Sequence, residues 1–367
     1  MKNWILKNWR RLWKWITKRS VLIVLIAGAL IASIVLTTIC HWKWILGGSE
    51  PSEVLRNIGL VIVGILGTAL AIWRAMIAAD NTKINDRNSF TDTFTKSIEQ
   101  LGAGSEDEPN IEVRLGGIYA LEKLSQVNLE YYQPIIDILA SYVRKHTPIP
   151  DLVPEGKETK KPRLDIQAAL TVLGRRDVKE LEVRLDLGFA CLQGAHLMSA
   201  HLMGVKLAGA NLYGAHLGNA DLRGAYLMDA KLMDAKLMDA NLRGANLKGA
   251  DLRGANLMDA KLMDAKLIAA HLIGAHLMGA YLKDADLMYA HLTGAHLMGA
   301  NLKGANLMYA HLEGAHLEGA NLEGANLEGA TITSEQIKST RNSHLATLDP
   351  KLTLELVNTT GDDEGND

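Results

Sequence analysis

The sequence contains very little cysteine, with only Cys40 and Cys191 among 367 residues. Because these two residues lie in unrelated contexts, they exclude a disulfide framework and a zinc cluster, and they fit a reducing compartment. An excess of charge of one sign is also missing. The formal net charge of −2 gives the chain no overall bias toward nucleic acid.

Motifs that mark catalytic or nucleotide-binding sites are missing as well. The chain has no Walker loop, no H-E-x-x-H, no G-x-S-x-G and no C-x-x-C pair. Its glycine-containing segment GILGTAL, residues 64–70, lies inside an apolar run and is more typical of membrane packing than of a phosphate loop. We therefore expect that the protein is not an enzyme and that it binds no cofactor and no metal ion.

What the chain has in abundance is a five-residue unit, seen almost unchanged in LMDAKLMDAKLMDANL at residues 227–242. Leucine occupies every fifth position from Leu187 to Leu327, and Ile332 continues the series. Alanine stands two residues before leucine from Ala190 onward, except at Val205. The second residue after leucine is mostly Gly, Asp, Asn or Ser, which are the residues that suit turns.

A period of five residues fits neither a continuous helix nor a continuous strand. In a helix, successive leucines would drift by about 140° around the axis, and in a strand they would alternate between the two faces. The pattern works only if the chain turns once per unit, so that every leucine points to one shared axis. Leucine and the alanine before it then face the interior, and the other three positions face solvent.

The unit A-(N/D/H/K)-L-x-(G/D) resembles the repeat of the pentapeptide-repeat proteins. The resemblance implies a mainly β fold, a right-handed quadrilateral β-helix with four repeats, or twenty residues, in each coil. At roughly 4.8 Å per coil, the repeats would form a rod about 34 Å long. We place this β-helix at residues 184–334.

The first 88 residues have the composition of a membrane anchor. Residues 20–40 form an uncharged apolar run long enough to cross a bilayer as a helix, and residues 57–73 form a shorter second candidate. The segment before them mixes seven Lys or Arg residues with four Trp residues, which suits a membrane interface. A signal peptide is the alternative, although the apolar run is longer than usual and no A-x-A site follows it.

The distribution of basic residues predicts the orientation of this anchor. Lys and Arg are abundant before the first span and return after the second, whereas in the loop between them Lys43 and Arg56 are balanced by Glu50 and Glu53. Basic segments stay on the cytoplasmic side of a membrane. We therefore expect two transmembrane helices in a bacterial inner membrane, with both termini and the repeat domain in the cytoplasm.

Residues 89–183 are predicted to form a small helical region with a proline-rich linker, TPIPDLVPEGKETKKPR, at 147–163. Helices are predicted at SFTDTFTKSIEQLGAG, EVRLGGIYALEKLSQ, YYQPIIDILASYVRKHTP and RLDIQAALTVLGRR. These segments resemble the helices that precede the repeats in many membrane-anchored bacterial pentapeptide-repeat proteins. We expect them to cover the open end of the β-helix, whose first coil would otherwise expose unpaired backbone groups.

Residues 335–367 are predicted to form a C-terminal cap followed by a disordered acidic tail, GDDEGND. The segment S-E-Q-I at 334–337 indicates a short helix at the start of this cap. Just before it, one glutamate stands on each side of the last full coil: Glu313, Glu318, Glu323 and Glu328. We interpret these glutamates as a solvated end that disfavours stacking with another rod.

Twenty residues per coil would align two kinds of side chain on one face of the rod. A candidate interaction stripe consists of Met198, Met238, Met258, Met278 and Met298, and the same face stacks His276, His296 and His316. A metal-binding ladder is one interpretation of the histidines. We favour the other interpretation, that the rings are solvated, because the same position of the repeat holds Asn, Asp or Lys in other units. The methionines form either an apolar contact surface or copies left by repeat duplication.

Two classes of function remain. The favoured one is a membrane-anchored, non-catalytic scaffold that presents the rod to a protein partner or to a second copy of the chain. The alternative, implied by the resemblance to pentapeptide-repeat proteins that engage DNA topoisomerases, is a DNA mimic that modulates an enzyme such as gyrase. Mimicry needs a strongly acidic rod, whereas residues 191–330 hold thirteen acidic and eleven basic residues. We therefore expect a lipid bilayer and a protein as partners, and not nucleic acid.

Overall fold

The computed structural model of the chain describes residues 51–128, 130–149, 161–176 and 185–361. The chain divides into two compact units, Met1–Ser89 and Phe90–Asp367. The predicted first membrane span at residues 20–40 and its basic flank lie outside the described residues. The same is true of most of the proline-rich linker and of the acidic tail.

Helix α1 spans Pro51–Leu101 and is 51 residues long. Its end lies within the predicted helical segment SFTDTFTKSIEQLGAG, because the helix stops before Gly102, whose N–H donates to the Glu99 carbonyl over 3.1 Å. Its start is much earlier than predicted, since the helix also includes residues 57–73, the predicted second membrane span. Along the part of the chain that the structure describes, no helix combines the length and the apolar character that crossing a membrane takes.

Three further helices form the helical region: α2 at Ile111–Val127, α3 at Tyr132–His146 and α4 at Leu164–Gly174. All three were predicted from their apolar spacing. Each buries one apolar face, and the fully buried side chains include Ile118, Ile135 and Leu170. Gly117 lets α2 approach the end of α1 closely, because a Cβ there would lie 2.7 Å from the Ser97 carbonyl. The face of α2 that meets α1 therefore requires glycine at this position.

From residue 185 onward the chain winds into coils of four repeats. Parallel backbone bridges join residues twenty apart, such as His216 with Lys236 and His276 with His296. The predicted coil of four repeats is therefore confirmed. The expected strands need a correction, because within the described coils the ladder consists of isolated bridges at one residue per repeat. The leucine N–H and the turn-residue N–H of each repeat also donate to the next coil, as from Leu232 to the Asp251 carbonyl and from Asp234 to the Arg253 carbonyl.

Each repeat turns between its leucine and the next alanine. In a typical repeat the Ala235 N–H donates to the Leu232 carbonyl over 3.0 Å, which closes a four-residue turn. The third residue of that turn has a positive φ in every repeat, for example 56° at Asp234 and 65° at Gly254. Glycine adopts this conformation without strain, and Asp and Asn tolerate it better than other residues. This requirement explains the Gly and Asp in the repeat.

The interior of the rod contains only the leucine column and the alanine column. The residues Leu187 to Leu327 and Ala190 to Ala325, with Val205, are at most 6% exposed. Only Ala330 and Ile332, at the end of the series, are less deeply buried. Burying one leucine side chain contributes about 1.5 to 3 kcal/mol. The predicted inward columns are therefore confirmed, and they dominate the stability of the rod.

The first coil is closed by the helical region, as predicted. On each of the four sides of this coil, one backbone N–H donates to an acceptor that lies before the repeats or at their first residues. Cys191 donates to the Thr147 carbonyl, His201 to the Gly174 carbonyl and Lys206 to the Leu185 carbonyl, over 2.8, 2.6 and 2.8 Å. On the fourth side, the Gln167 side chain accepts from the His196 N–H over 2.9 Å and donates to the His196 carbonyl over 2.8 Å.

The last coil is closed by helix α5 at Ser334–Lys338, a 3₁₀ turn at Ser343–Leu345 and helix α6 at Pro350–Gly361. The predicted short helix is confirmed, and Thr333 and Gln336 form a capping box at its start. The Gln336 side chain also donates to the carbonyls of Leu312 and Ala315, both over 2.8 Å. Arg341 and Thr347 then pair with the coil below, so the ladder ends gradually.

Candidate interaction surface

Histidine rings stack along one face of the rod. The ring centroids of His276 and His296 are 4.8 Å apart with planes 2° from parallel, and those of His296 and His316 are 5.0 Å apart at 17°. His196 and His216 pair near the other end, 4.7 Å apart. The spacing follows the rise of one coil. The histidine column therefore exists as predicted, and its order comes from the backbone.

A neighbouring face carries a second histidine column, His271, His291 and His311, with centroid distances of 4.9 and 4.8 Å. Burial and the charges of His271 and His311 lower the pKa of His291. Parallel imidazole rings point their nitrogen lone pairs sideways instead of toward one point between them. Among the described residues, no group of three or more His, Cys, Asp or Glu side chains is arranged to hold a metal ion.

The predicted methionine stripe lies along one edge of the rod. Met198, Met238, Met278 and Met298 are 36% to 63% exposed, and Met258 is half-buried. Gly218 occupies the same column and interrupts it between the first two methionines. Because methionine is flexible and polarizable, a row of exposed methionines offers an adaptable apolar contact surface. We call these five residues the Met stripe.

Basic residues on the adjacent face do not form an open positive surface. All four side chains in this column lie within ion-pair distance of acids of the rod. The pairs are Arg223 with Asp221, Arg243 with Asp264, Lys283 with Asp284 and Lys303 with Glu323, at 2.6, 3.3, 3.6 and 2.7 Å. The charges of this column are therefore paired, solvated groups along the rod.

A second apolar edge was not singled out from the sequence. It consists of Ile268, Ala269, Met288, Tyr289, Met308 and Tyr309, and we call it the Tyr–Met edge. The two tyrosine rings stack with centroids 5.2 Å apart and planes 10° from parallel, yet the residues remain 48% and 43% exposed. The signal in the sequence was present, because tyrosine replaces the turn residue of the repeat at both positions.

A buried ionic cluster in the helical region was also missed. The Asp165 carboxylate accepts from Tyr142 over 2.6 Å and from both Nε and Nη2 of Arg163 over 2.8 Å. Arg114 is buried beside it at 3.4 Å and donates to the Ala103 carbonyl over 2.8 Å. Burial raises the pKa of Asp165, but hydrogen bonds from Arg163 and Tyr142 and the Arg163 charge lower it to about 2.

The effect on Tyr142 is opposite in sign. Burial first, and then the hydrogen bond to Asp165, raise the pKa of Tyr142 to about 12. Tyr142 therefore stays protonated and keeps donating to the carboxylate. The cluster ties α2, α3 and α4 together, and the side chains of Arg114 and Asp165 are almost completely buried. Its role in the helical region is structural.

Coils of four repeats, a leucine and alanine interior and outward columns define the class of solenoid repeat proteins. A family model described as "Pentapeptide repeats" matches eight copies within residues 183–333. Its matched segments are 183–218, 206–244, 235–268, 265–304 and 305–333. Comparison with curated protein sequences finds no significant match.

Several solved structures are similar to the chain. HetL, a pentapeptide repeat protein involved in heterocyst differentiation regulation from the cyanobacterium Nostoc sp. strain PCC 7120, is 39% identical, over 40% of this chain and 73% of HetL, with a TM-score of 0.22. Another pentapeptide repeat protein from Nostoc PCC 7120 is 34% identical, over 31% of this chain and 84% of that protein, with a TM-score of 0.19.

A trypsin-treated variant of QnrB1, a plasmid-mediated fluoroquinolone resistance protein, is 18% identical, over 45% of this chain and 84% of that protein, with a TM-score of 0.33. An identity this low transfers no function. The identity with HetL over most of its length does show the family. This chain belongs to the pentapeptide-repeat family, whose fold is a right-handed β-helix.

Proposed function

We propose that the protein is a membrane-anchored, non-catalytic scaffold whose rod presents the Met stripe to a protein partner. The observation that carries this proposal is the alignment of five methionines along one edge, four of them clearly exposed. From Met198 to Met298 the stripe is about 24 Å long, at roughly 4.8 Å per coil. A partner helix or strand of ordinary length would cover it.

The interior of the rod supports a binding role over catalysis. It is filled by leucine and alanine, so a substrate could meet only the outer columns. Those columns hold stacked histidines, paired charges and methionines, and an active site normally needs a concave, water-poor setting. A scaffold uses the flanks of the rod and requires no cavity.

The membrane anchor in this proposal rests on sequence composition. Residues 20–40 have the length and apolar character of a spanning helix, and the Trp-rich basic flank suits a cytoplasmic interface. The second span is proposed at residues 57–73 from composition and flanking charge alone, since the described helix α1 that contains them does not reach the apolar character of a span. Two spans would hold the rod in the cytoplasm at the bacterial inner membrane. A single span would place the rod on the other side.

The location of the rod is tested with a reporter fused to the carboxyl terminus of the full chain. We expect the protein to stay in the membrane fraction after alkaline extraction, with a cytoplasmic fluorescent reporter active. A periplasmic phosphatase reporter should be inactive at the same position. Release of the chain by alkali would overturn the anchor, and an active phosphatase would overturn the two-span orientation.

The scaffold is tested by placing a photoreactive amino acid at Met278 in the full chain and identifying the crosslinked protein from membranes. We expect one dominant heterologous partner, lost when Met238, Met258 and Met298 are changed to Gln. A matched control changes Met203, Met233 and Met263 to Gln, because these methionines lie on other edges. Equal crosslinking in both variants would remove the Met stripe as the binding surface.

DNA mimicry is the weaker alternative. The acidic residues of the rod alternate with basic residues, and several of them form ion pairs, such as Asp251 with Arg253 at 2.7 Å. A duplex mimic needs a continuous acidic surface, so this distribution disfavours it. Inhibition of gyrase supercoiling by the purified full chain would reverse the ranking of the two functions.

A further inference from the structure

The Tyr–Met edge breaks the turn rule of the repeat. Within the described coils, all but four residues at the positive-φ position are Gly, Asp, Asn or Ser. The four departures are Phe189, Ala269, Tyr289 and Tyr309, with φ of 56°, 54°, 59° and 57°. Their numbers differ by multiples of twenty, so all four lie in the same column of the same edge. The departures from the turn rule are therefore confined to one edge of the rod.

A large side chain at these positions has a conformational cost. The left-handed conformation costs a residue with a Cβ roughly 1 to 2 kcal/mol, and only short polar side chains recover part of it by local hydrogen bonds. Tyrosine has no such compensation. Two tyrosines in consecutive coils therefore need another source of stability.

Contacts within the rod supply only part of that stability. Tyr289 stacks on Tyr309, and the Tyr309 ring lies over Gly329, where an added Cβ would clash with it. Nearly half of each tyrosine nevertheless remains in contact with water. Ile268, Met288 and Met308 form a half-buried apolar column directly beside the aromatic one. The edge is therefore two apolar columns wide over three consecutive coils.

The columns that flank this edge have different chemistry on the two sides. Asp286 and Asn306 stand on one side and are linked by a hydrogen bond of 3.1 Å between the Asn306 amide and the carboxylate. His291 and His311 stand on the other side, stacked 4.8 Å apart. Lys266 precedes Asp286 in the same column, so a lysine, an aspartate and an asparagine border one side of the edge, and imidazoles border the other.

We propose that the Tyr–Met edge is the interface through which two copies of this chain pair side by side, with their rods parallel. A two-fold axis along the rod, between the two apolar columns, sets Met288 and Met308 of each copy against Tyr289 and Tyr309 of the other. Sulfur–aromatic contacts of this kind are favourable. The same axis sets the Asp286 carboxylate against the second copy's His291.

The antiparallel arrangement makes poorer contacts. Its two-fold axis crosses the rods, so each column meets its own kind: histidine faces histidine, and the methionine column faces methionine. The parallel pair matches unlike columns across the interface, and such complementarity selects one arrangement over another. Coils at the same level then lie opposite each other along the whole edge.

Parallel pairing leaves the Met stripe open. The two edges differ by ten residues in the repeat, which is half a coil, so they lie on opposite edges of the rod. The pairing therefore does not depend on the proposed function, and the failure of one leaves the other untouched. If both hold, a pair of rods presents two Met stripes facing away from each other.

The test uses single cysteines in the full chain, with Cys40 and Cys191 changed to Ser. Met228 stands in the methionine column of the Tyr–Met edge, two coils before Ile268, whereas Met238 lies on the opposite edge. These two native methionines are similarly exposed, at 37% and 42%. We expect a short bis-maleimide to yield covalent dimer from Met228→Cys, with yield lower by about tenfold for Met238→Cys.

A second experiment compares Met228→Cys alone with a variant that carries Met228→Cys, Tyr289→Gly and Tyr309→Gly together. Glycine suits the turn, so we expect an unchanged or higher melting temperature together with loss of the covalent dimer. A lower melting temperature with unchanged dimer would show that the tyrosines serve only the rod itself and would overturn the proposal. Equal crosslinking at the two cysteine positions would overturn it too. A dimer in light scattering without crosslinking at position 228 would rule out the parallel arrangement.

Discussion

The helical region and the rod are stabilised in different ways. In the helical region, α2, α3 and α4 meet around a single buried cluster in which Arg114 and Asp165, 51 residues apart in sequence, form an ion pair. In the rod, the same leucine, alanine and turn contacts recur in every coil. The helical region therefore depends on a few unique partners, whereas the rod depends on a contact that is repeated many times.

This difference predicts how each region fails. Each coil of a solenoid contacts only its neighbours, so damage to one coil spreads along the rod and not across a single core. Damage to the ionic cluster removes one contact that nothing else in the helical region duplicates. The following changes test this contrast, from the largest expected effect to the smallest.

Leu242→Asp should have the largest effect. The change removes a buried leucine and places a charge in a dry column, which we expect to cost more than about 5 kcal/mol. Circular dichroism should show loss of several coils and a broad, early melting transition. Leu242→Met keeps the volume and should cost less than about 1.5 kcal/mol. Unchanged melting of the aspartate variant would contradict an inward leucine.

Asp165→Asn should destabilise the helical region by about 3 kcal/mol, because it leaves Arg114 buried without its charged partner. The natural protein has a pKa of about 2 at this carboxyl, below the ordinary value of 3.8. The stability contributed by ionised Asp165 is therefore present above about pH 4 and is lost as the pH falls toward 2. Chemical denaturation between these pH values should show this loss only in the natural chain.

The control for this experiment is Glu106→Gln, which removes an exposed ion pair with Lys145. We expect a change within about 0.5 kcal/mol, since exposed pairs contribute little. If both variants lose the same stability, the buried cluster has no special role.

Gln167→Ala should cost about 1 kcal/mol by leaving the His196 N–H and carbonyl of the first coil without their partner. Hydrogen exchange should accelerate at His196 and not in the middle of the rod. Gln193→Ala, at an outward position of the repeats, is the matched control. Acceleration spread evenly over all coils would contradict a local end effect.

His291→Asn should have the smallest effect. In the folded rod, the pKa of His291 is lowered by burial and by the two histidines stacked on it. The stability contributed by neutral His291 is therefore present above the pKa of the unfolded chain, and it is lost as the pH falls through the pKa of the folded rod. The natural rod should therefore melt slightly earlier at pH 5 than at pH 7. His291→Asn should show a smaller difference in melting temperature between the two pH values. The control His344→Asn, outside the histidine columns, should show the same difference as the natural chain.

Much of the rod was predictable, because the spacing of residues in a repeat determines which of them face the interior. The spacing of Leu and Ala predicted the inward columns, and the count of four per coil came with the family resemblance. The isolated bridges were not predictable, because a period of five does not say how many residues of each unit pair with the next coil. The early start of α1 was missed since an apolar run and a helical cap segment were treated as separate elements.

The contacts of the helical region could not be obtained from the sequence. Nothing near Arg114 indicates that its partner lies at the start of α4, because that pairing depends on how the helices cross. The Tyr–Met edge is a different case. Its tyrosines occupy a position where glycine and aspartate are the rule, and this departure was visible without a structure.

The closed four-sided coil has a consequence for how such a rod can change length. Gain or loss of twenty residues leaves each column in line, so the rod grows or shortens while its flanks keep their identity. Gain or loss of five residues rotates all that follows by a quarter of the circumference. A single unit inserted between Leu272 and Leu277 would therefore move Met278 out of line with Met258, and Tyr289 out of line with Ala269, while the leucine and alanine interior stayed intact.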